Sequence, residues 1–167
     1  IKDRAEEWKF EMDHLPAISP VDPKFRLGDR FGYREVHPVL GIGRPHYGQD
    51  FYVPYGTKVY ATGDGKVIAA SWNSGGFGNV VVIDHGNGLH SYYAHLSKIN
   101  VTDGADVKRG DNIGLSGSSG LSSGAHLHYQ INKFGRPVNA IEFFNNDVTQ
   151  EEFNEMIEAF ASKSRYR

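Results

Sequence analysis

The chain has 167 residues, a length that fits one domain, and its 39% apolar and 23% charged residues are ordinary for a globular protein with a sizeable core. A net charge of −2 argues against a nucleic-acid binder, which usually carries a strongly basic face. The absence of cysteine excludes a disulfide scaffold, a thiolate-bound metal and a cysteine nucleophile.

Residues Asp3 to Met12 are predicted to form a short helix, with Trp8 and Met12 one turn apart on one face. Pro16, Pro20 and Pro23 then impose an extended linker. All but three of the 20 glycines lie between Gly41 and Gly124, which reads as short strands joined by tight turns. Strands are expected over Lys58 to Ala61, Lys66 to Trp72, Asn79 to Asp84, Leu89 to His95, Asn112 to Leu115 and His126 to Ile131. Asn87-Gly88 is a hairpin signal. This near-regular spacing suggests a sandwich, barrel or folded antiparallel sheet rather than βαβ units. Toward the C-terminus, Thr149 with Glu152 makes a capping box and Val148 with Phe153 a hydrophobic staple. Phe153, Met156, Ile157 and Phe160 fall at i, i+3, i+4 and i+7, one apolar stripe of a helix docked on the domain. The expected division is a helix and linker flank at 1–24, a domain at 25–145 and an amphipathic helix at 146–167. No run approaches the ~18 apolar residues of a membrane span, and no signal peptide is visible. The start at Ile1 fits a fragment from which an upstream signal or anchor has been removed.

Eight histidines raise the question of which converge. In His126-Leu127-His128-Tyr129-Gln130-Ile131, polar and apolar residues alternate. On a strand both imidazoles then share one face, and the pattern alone serves a shared site or a polar surface equally. His46 and Asp50 lie in a glycine-containing turn leading into Phe51-Tyr52-Val53, where both side chains can fold toward one point. His95 ends a predicted strand, with Tyr93 on its face and Tyr92 and Ala94 opposite. The helical His-Glu-x-x-His motif and a serine elbow are both absent. Two histidines and one aspartate suit catalytic zinc, which keeps three protein ligands and an open position for water. The remaining histidines, His95 and His126, are candidates for proton transfer and oxyanion stabilisation.

Three blocks, in order, resemble the lysostaphin-type zinc metalloendopeptidases, a family that cleaves peptidoglycan cross-links. They are Arg44-Pro45-His46-Tyr47-Gly48-Gln49-Asp50, Tyr93-Ala94-His95-Leu96, and Ser116 to Gly120 leading to Gly124-Ala125-His126-Leu127-His128. Phe31 to Arg34, Gly78-Asn79, Val107 to Asp111 and Gly135 to Asn139 add to the match, which runs from about Phe31 to Phe144. The resemblance implies one zinc ion per chain on His46, Asp50 and His128, with His95 and His126 as non-ligand histidines beside the bound water. It implies a mainly β fold, a folded antiparallel sheet whose active-site groove is roofed by loops, to which the flanking patterns above add short helices at both ends. Tyr47, Phe77 and Tyr93 are the aromatics expected at the substrate groove. Gln49, Ser118, Ser119, Ala125 and Ala140 depart from common family residues, and none removes a metal or catalytic group.

The partner implied is the peptide stem and cross-link of peptidoglycan in a bacterial cell envelope, with other envelope proteins as further partners and no nucleic acid. Glycyl bridges and D-Ala–diamino-acid cross-links both occur as substrates in the family. Two other readings compete: a non-catalytic regulator of wall enzymes with this fold, and a histidine phosphocarrier. His14, His37, His85 and His90 read as structural or solvated. Asp13, His14 and Asp22 offer themselves as plugs for an open zinc position, but the proline segment reads more simply as a spacer.

Overall fold

The computed structural model describes residues 4–34, 44–143 and 150–165, so His37 and the Val148/Thr149 cap lie outside the described residues. Helix α1 (Arg4–His14) is followed by β1 (Arg26–Leu27), β2 (Gly32–Arg34), β3 (Arg44–His46) and β4 (Gln49–Tyr52). Then come β5 (Lys58–Tyr60), β6 (Gly65–Asn73), β7 (Gly78–Gly86), β8 (Leu89–Ile99) and β9 (Asp106–Val107). The chain continues through β10 (Asn112–Ser116), β11 (Leu127–Lys133), β12 (Arg136–Val138), a 3-10 turn (Ala140–Glu142) and α2 (Gln150–Arg165).

The main sheet runs β1-β4-β11-β8-β7-β6-β9, with β12 added to β11. β10 pairs with both β8 and β5, so the sheet folds over itself there. β2 and β3 form a separate ribbon. All these pairings are antiparallel, as the short strands and tight turns predict.

Pleat alternation assigns the two faces of the sheet. In β7, Val81 and Ile83 join the main core with Phe51, Val59, Tyr93, Ile113, Leu127, Tyr129 and Ile131. Val80 and Val82 turn to the other face and pack with Ala94, Ala69, Phe77 and Tyr92. An unbroken apolar run therefore marks a strand covered on both faces. Inside the core, hydrogen bonds link His85, Ser91, Tyr93, Thr62 and Tyr129 in one continuous chain. Each buried hydroxyl thus keeps a partner.

The flanks are tied to this sheet by one side chain. The buried Arg109 donates from Nε to Thr62 O, from Nη1 to Asn154 Oδ1, and from Nη2 to the carbonyls of Leu15 and Met12. Its guanidinium lies 4.7 Å from the Phe153 ring. The proline segment runs through bends and a turn at 23–24, with Ala17, Ile18, Ser19 and Val21 buried and Pro20 O accepting from Tyr60 N. It packs into the domain instead of standing off as a spacer. On α2, Ile157 is buried but Met156 is 58% exposed, so the docked stripe is narrower than its periodicity suggests. No helix among the described residues is long and apolar enough to cross a membrane.

Candidate metal and catalytic centre

Strand register brings the first two groups together. β11 pairs with β4 so that His128 stands opposite Asp50. The Asp50 backbone is pinned on its other side, its N donating to Asp29 O and its O accepting from Gly28 N. His46 arrives from the end of β3 through the turn at Tyr47-Gly48. Gly48 crosses β11 so closely that a Cβ there would lie 2.6 Å from Tyr129 O and 2.7 Å from His128 Nε2. A side chain at this position would push the His46 loop off the site.

His46 Nε2 and His128 Nδ1 each lie 3.2 Å from Asp50 Oδ1. Ligands about 2.0–2.1 Å from a tetrahedral zinc stand about 3.3–3.4 Å apart, so the spacing fits that ion. The opposite ring nitrogens are already engaged: His46 Nδ1 with Arg30 O at 2.8 Å, and His128 Nε2 with Gln130 Oε1 at 3.0 Å. Arg30 O can only accept, so His46 Nδ1 carries its N–H, and with Gln130 turning its oxygen to the ring, Nε2 is the N–H nitrogen of a metal-ligating His128; each inward nitrogen can then offer a lone pair to a cation. Burial opposes the Asp50 charge, but the N–H groups and positive charge that His128 and His46 offer it when protonated outweigh that penalty and hold the carboxyl well below the usual carboxylate range; a bound cation would take over that role from the ring protons. Two imidazole lone pairs and one carboxylate facing a single point are the donor set of a bound cation, and these three residues can hold one metal ion.

His95 and His126 stand beside this trio. The two rings are 4.8 Å apart between centroids, and His95 is 5.9 Å from the His128 ring. His126 Nε2 lies 3.9 Å from Asp50 Oδ1. Again one nitrogen of each ring faces a carbonyl: His95 Nδ1 to Ser119 O at 2.7 Å, His126 Nδ1 to Gly124 O at 2.9 Å. Each Nε2 is therefore an acceptor. Burial, then the repulsion between its own positive form and that of His126, pushes His95 down to about 4, so its ring is neutral at neutral pH.

His95 reaches the site by a route that strict alternation does not contain. Its φ is +61°, and the β7–β8 register slips between Asn79↔Leu96 and Val81↔Tyr93. This bulge turns His95 onto the face of Ala94 and returns Leu96 to the core. The expected pairing of His95 with Tyr93 on one face is therefore corrected. Tyr93 is fully buried, its hydroxyl bonded to Thr62 and Ser91, so it does not line the groove. Tyr47 and Phe77 do line it, with Gly75, Gly76 and the loop Leu121 to Ala125. The two roof segments are joined by Leu121 N donating to Gly76 O.

Residue-by-residue reading missed Gln130 and Ser119 as parts of the site. The alternation His126, His128, Gln130 already carried the signal for Gln130. Ser119 acts through its carbonyl, for which side-chain type gives no signal. His85 is buried between Asp64 O and Ser91, and His90 lies 3.7 Å from Asp84, both away from the centre. Asp13 pairs with Lys9 and His14 donates to Phe10 O, and neither lines the groove.

Comparison with known proteins agrees with this geometry. The chain is 50% identical over 123 residues to the peptidoglycan DD-endopeptidase ShyA of Vibrio cholerae, covering 74% of this chain and 28% of that protein. Among solved structures, a zinc-containing peptidase from Vibrio cholerae superposes with a TM-score of 0.67 at 40% identity, over 76% of this chain and 39% of that one. The catalytic domain of the antimicrobial peptidase lysostaphin from Staphylococcus simulans superposes with a TM-score of 0.63 at 35% identity, over 71% of this chain and 91% of that domain. The chain thus spans under a third of its curated relative and almost the whole of an isolated catalytic domain. The family model for Peptidase family M23 matches residues 44–140, a span that holds the whole His46/Asp50/His128 centre together with His95 and His126, and the chain belongs to that family of zinc peptidases.

Proposed function

We propose that this domain is a zinc-dependent endopeptidase that hydrolyses peptide cross-links of peptidoglycan, at bonds whose carbonyl belongs to a D-amino acid. The observation that carries the reading is the His46/Asp50/His128 trio with two further lone-pair imidazoles on one open groove. Similarity to a DD-endopeptidase supports the bond class.

When bound to the trio, zinc lowers the pKa of a water molecule and polarises a scissile carbonyl. The chain's own residues supply the rest. His46 is held in a single tautomer by Arg30 O, Gln130 Oε1 faces His128 Nε2, and Asp50 is held ionised. His95 Nε2 and His126 Nε2 accept a proton from the attacking water, and once protonated they donate to developing oxyanion or leaving-amine nitrogen. The bulged strand and the Ser119 and Gly124 carbonyls aim them. Tyr47 and Phe77 flank the peptide in the groove.

The phosphocarrier reading meets an electrostatic obstacle, since an anionic phosphoryl group at His128 would face the Asp50 carboxylate at 3.2 Å. The regulator reading is disfavoured by the complete ligand set. The site of action we propose is the bacterial cell envelope, with the terminal segments 1–24 and 146–167 as flanks of a domain at 25–145. The test is digestion of defined cross-linked muropeptide dimers and of oligoglycine peptides by the zinc-loaded chain, with mass analysis of products. Dimers should fall to monomers, chelation should stop the reaction and zinc should restore it. Cleavage of oligoglycine alone would move the bond class, and cleavage of neither would overturn the reading.

A further inference from the structure

Four imidazoles meet at the centre, and each has one nitrogen held by an oxygen acceptor. For His46, His95 and His126 that acceptor is a main-chain carbonyl, of Arg30, Ser119 and Gly124. A carbonyl can only accept, so the tautomer of those rings is decided by the backbone. His128 differs, because its acceptor is the side-chain amide of Gln130. An amide can turn either end to the ring. Presented with NH₂, His128 would have to accept at Nε2 and carry its proton on Nδ1, the nitrogen that faces Asp50. The lone pair meant for a metal would then be lost.

The next residue on the same strand face supplies an orienting partner. Gln130 is 5% exposed, and its Nε2 donates to Asn132 Oδ1 at 2.9 Å. Asn132 Nδ2 in turn approaches the Tyr92 hydroxyl on β8, 3.5 Å away. With its NH₂ engaged by Asn132, Gln130 has only its oxygen left for His128. His128, Gln130 and Asn132 occupy alternate positions of β11, so the pleat itself lines them up.

We propose that Gln130, oriented by Asn132, is a positioning residue that keeps the His128 proton on Nε2 and so presents the Nδ1 lone pair to the metal. The inference rests on the zinc reading above. Partners of this kind behind a metal-bound histidine typically govern 10- to 100-fold in metal affinity.

The experiment measures zinc affinity by chelator competition in the folded chain and in Q130L, Q130E, N132A and the double variant Q130E/N132A. Long-range nitrogen–proton NMR of the His128 ring in metal-free protein reads the tautomer directly. Q130L should bind zinc about 10- to 100-fold more weakly and shift the His128 proton toward Nδ1. Q130E, whose carboxylate accepts at both oxygens, should bind at least as tightly as wild type. N132A should weaken binding when Gln130 is present and have no effect in the Q130E background, because a carboxylate needs no orienting partner. A purely structural role for Asn132 would give the same loss in both backgrounds and would overturn the proposal. Wild-type affinity and tautomer in Q130L would overturn it too, leaving the endopeptidase reading intact. A wild-type chain that binds no zinc would overturn both.

Discussion

Nδ1 of His95 donates to the carbonyl of Ser119 at 2.7 Å, across 24 residues of chain. The approach depends on Gly120, which has φ +75° and packs so tightly on β7 that a Cβ there would lie 2.4 Å from Gly78 N. Gly120→Ala should therefore lift the roof loop and swing His95 out of line. We expect turnover to fall about 10²-fold, the scale of a small misplacement at a reacting centre, with zinc retained. Unchanged turnover in a zinc-loaded Gly120→Ala protein would show that the Ser119 carbonyl does not aim His95.

The division between ligands and proton-handling groups is tested by comparing His95→Ala and His126→Ala. Both variants should keep zinc and lose about 10²- to 10³-fold in rate. His126 Nε2 is already 3.9 Å from Asp50 Oδ1, so His126 is the nearer of the two to a ligand's position. Zinc-free His126→Ala protein would mean that ligand and catalyst are exchanged within the His-x-His pair. Near-normal rate in zinc-loaded His95→Ala would remove His95 from the chemistry.

Asp50→Ala and His128→Ala should each abolish stoichiometric zinc, since either leaves two ligands where a catalytic site keeps three. Metal analysis of purified protein checks this, and full zinc occupancy in either variant would refute the trio.

His85 supplies a pH signature independent of the metal. Burial pushes this ring down to about 4 from its ordinary 6.5, outweighing the hydrogen bond with Asp64 O. The folded chain then binds fewer protons at His85 than the unfolded chain between those values. Its contribution to stability is complete above pH 6.5 and is lost as pH falls toward 4, about 3 kcal/mol in all. Unfolding followed from pH 7 to 4 should show a shallower decline for His85→Asn than for wild type. Parallel curves would show that His85 does not drive the acid sensitivity.

Arg109→Leu should loosen both flanks at once, because it leaves the Thr62, Met12 and Leu15 carbonyls without their shared donor. Unsatisfied buried groups cost about 1–3 kcal/mol each, so the loss should exceed about 2 kcal/mol. Limited proteolysis should then cut near α1 and α2 before the sheet. A variant that melts like wild type, with its termini equally protected, would deny Arg109 this role.

What was legible in the sequence is what depends on neighbours a few residues apart. Leu127, Tyr129 and Ile131 lie in the core while His128 and Gln130 face the site, because a strand's pleat alternates whatever it pairs with. The three histidine- and aspartate-bearing blocks were recognisable for the same reason, since each is a local motif. The failures share the opposite cause. His95 was assigned the face of Tyr93 because the left-handed turn at φ +61° that separates them exists only where β8 slips against β7. Met156 was assigned to the buried stripe because helical period fixes an angle around an axis, while the width of the covered face is set by what docks there. The burial of Arg109 has no local signal, because its partners Met12 and Leu15 lie 97 and 94 residues away in sequence. The convergence of His46, Asp50 and His128 on one point likewise came from the folded sheet, in which β4 and β11 are neighbours although Asp50 and His128 are 78 residues apart. Local chemistry chose the residue types and their faces, and long-range strand pairing alone decided which of those faces meet.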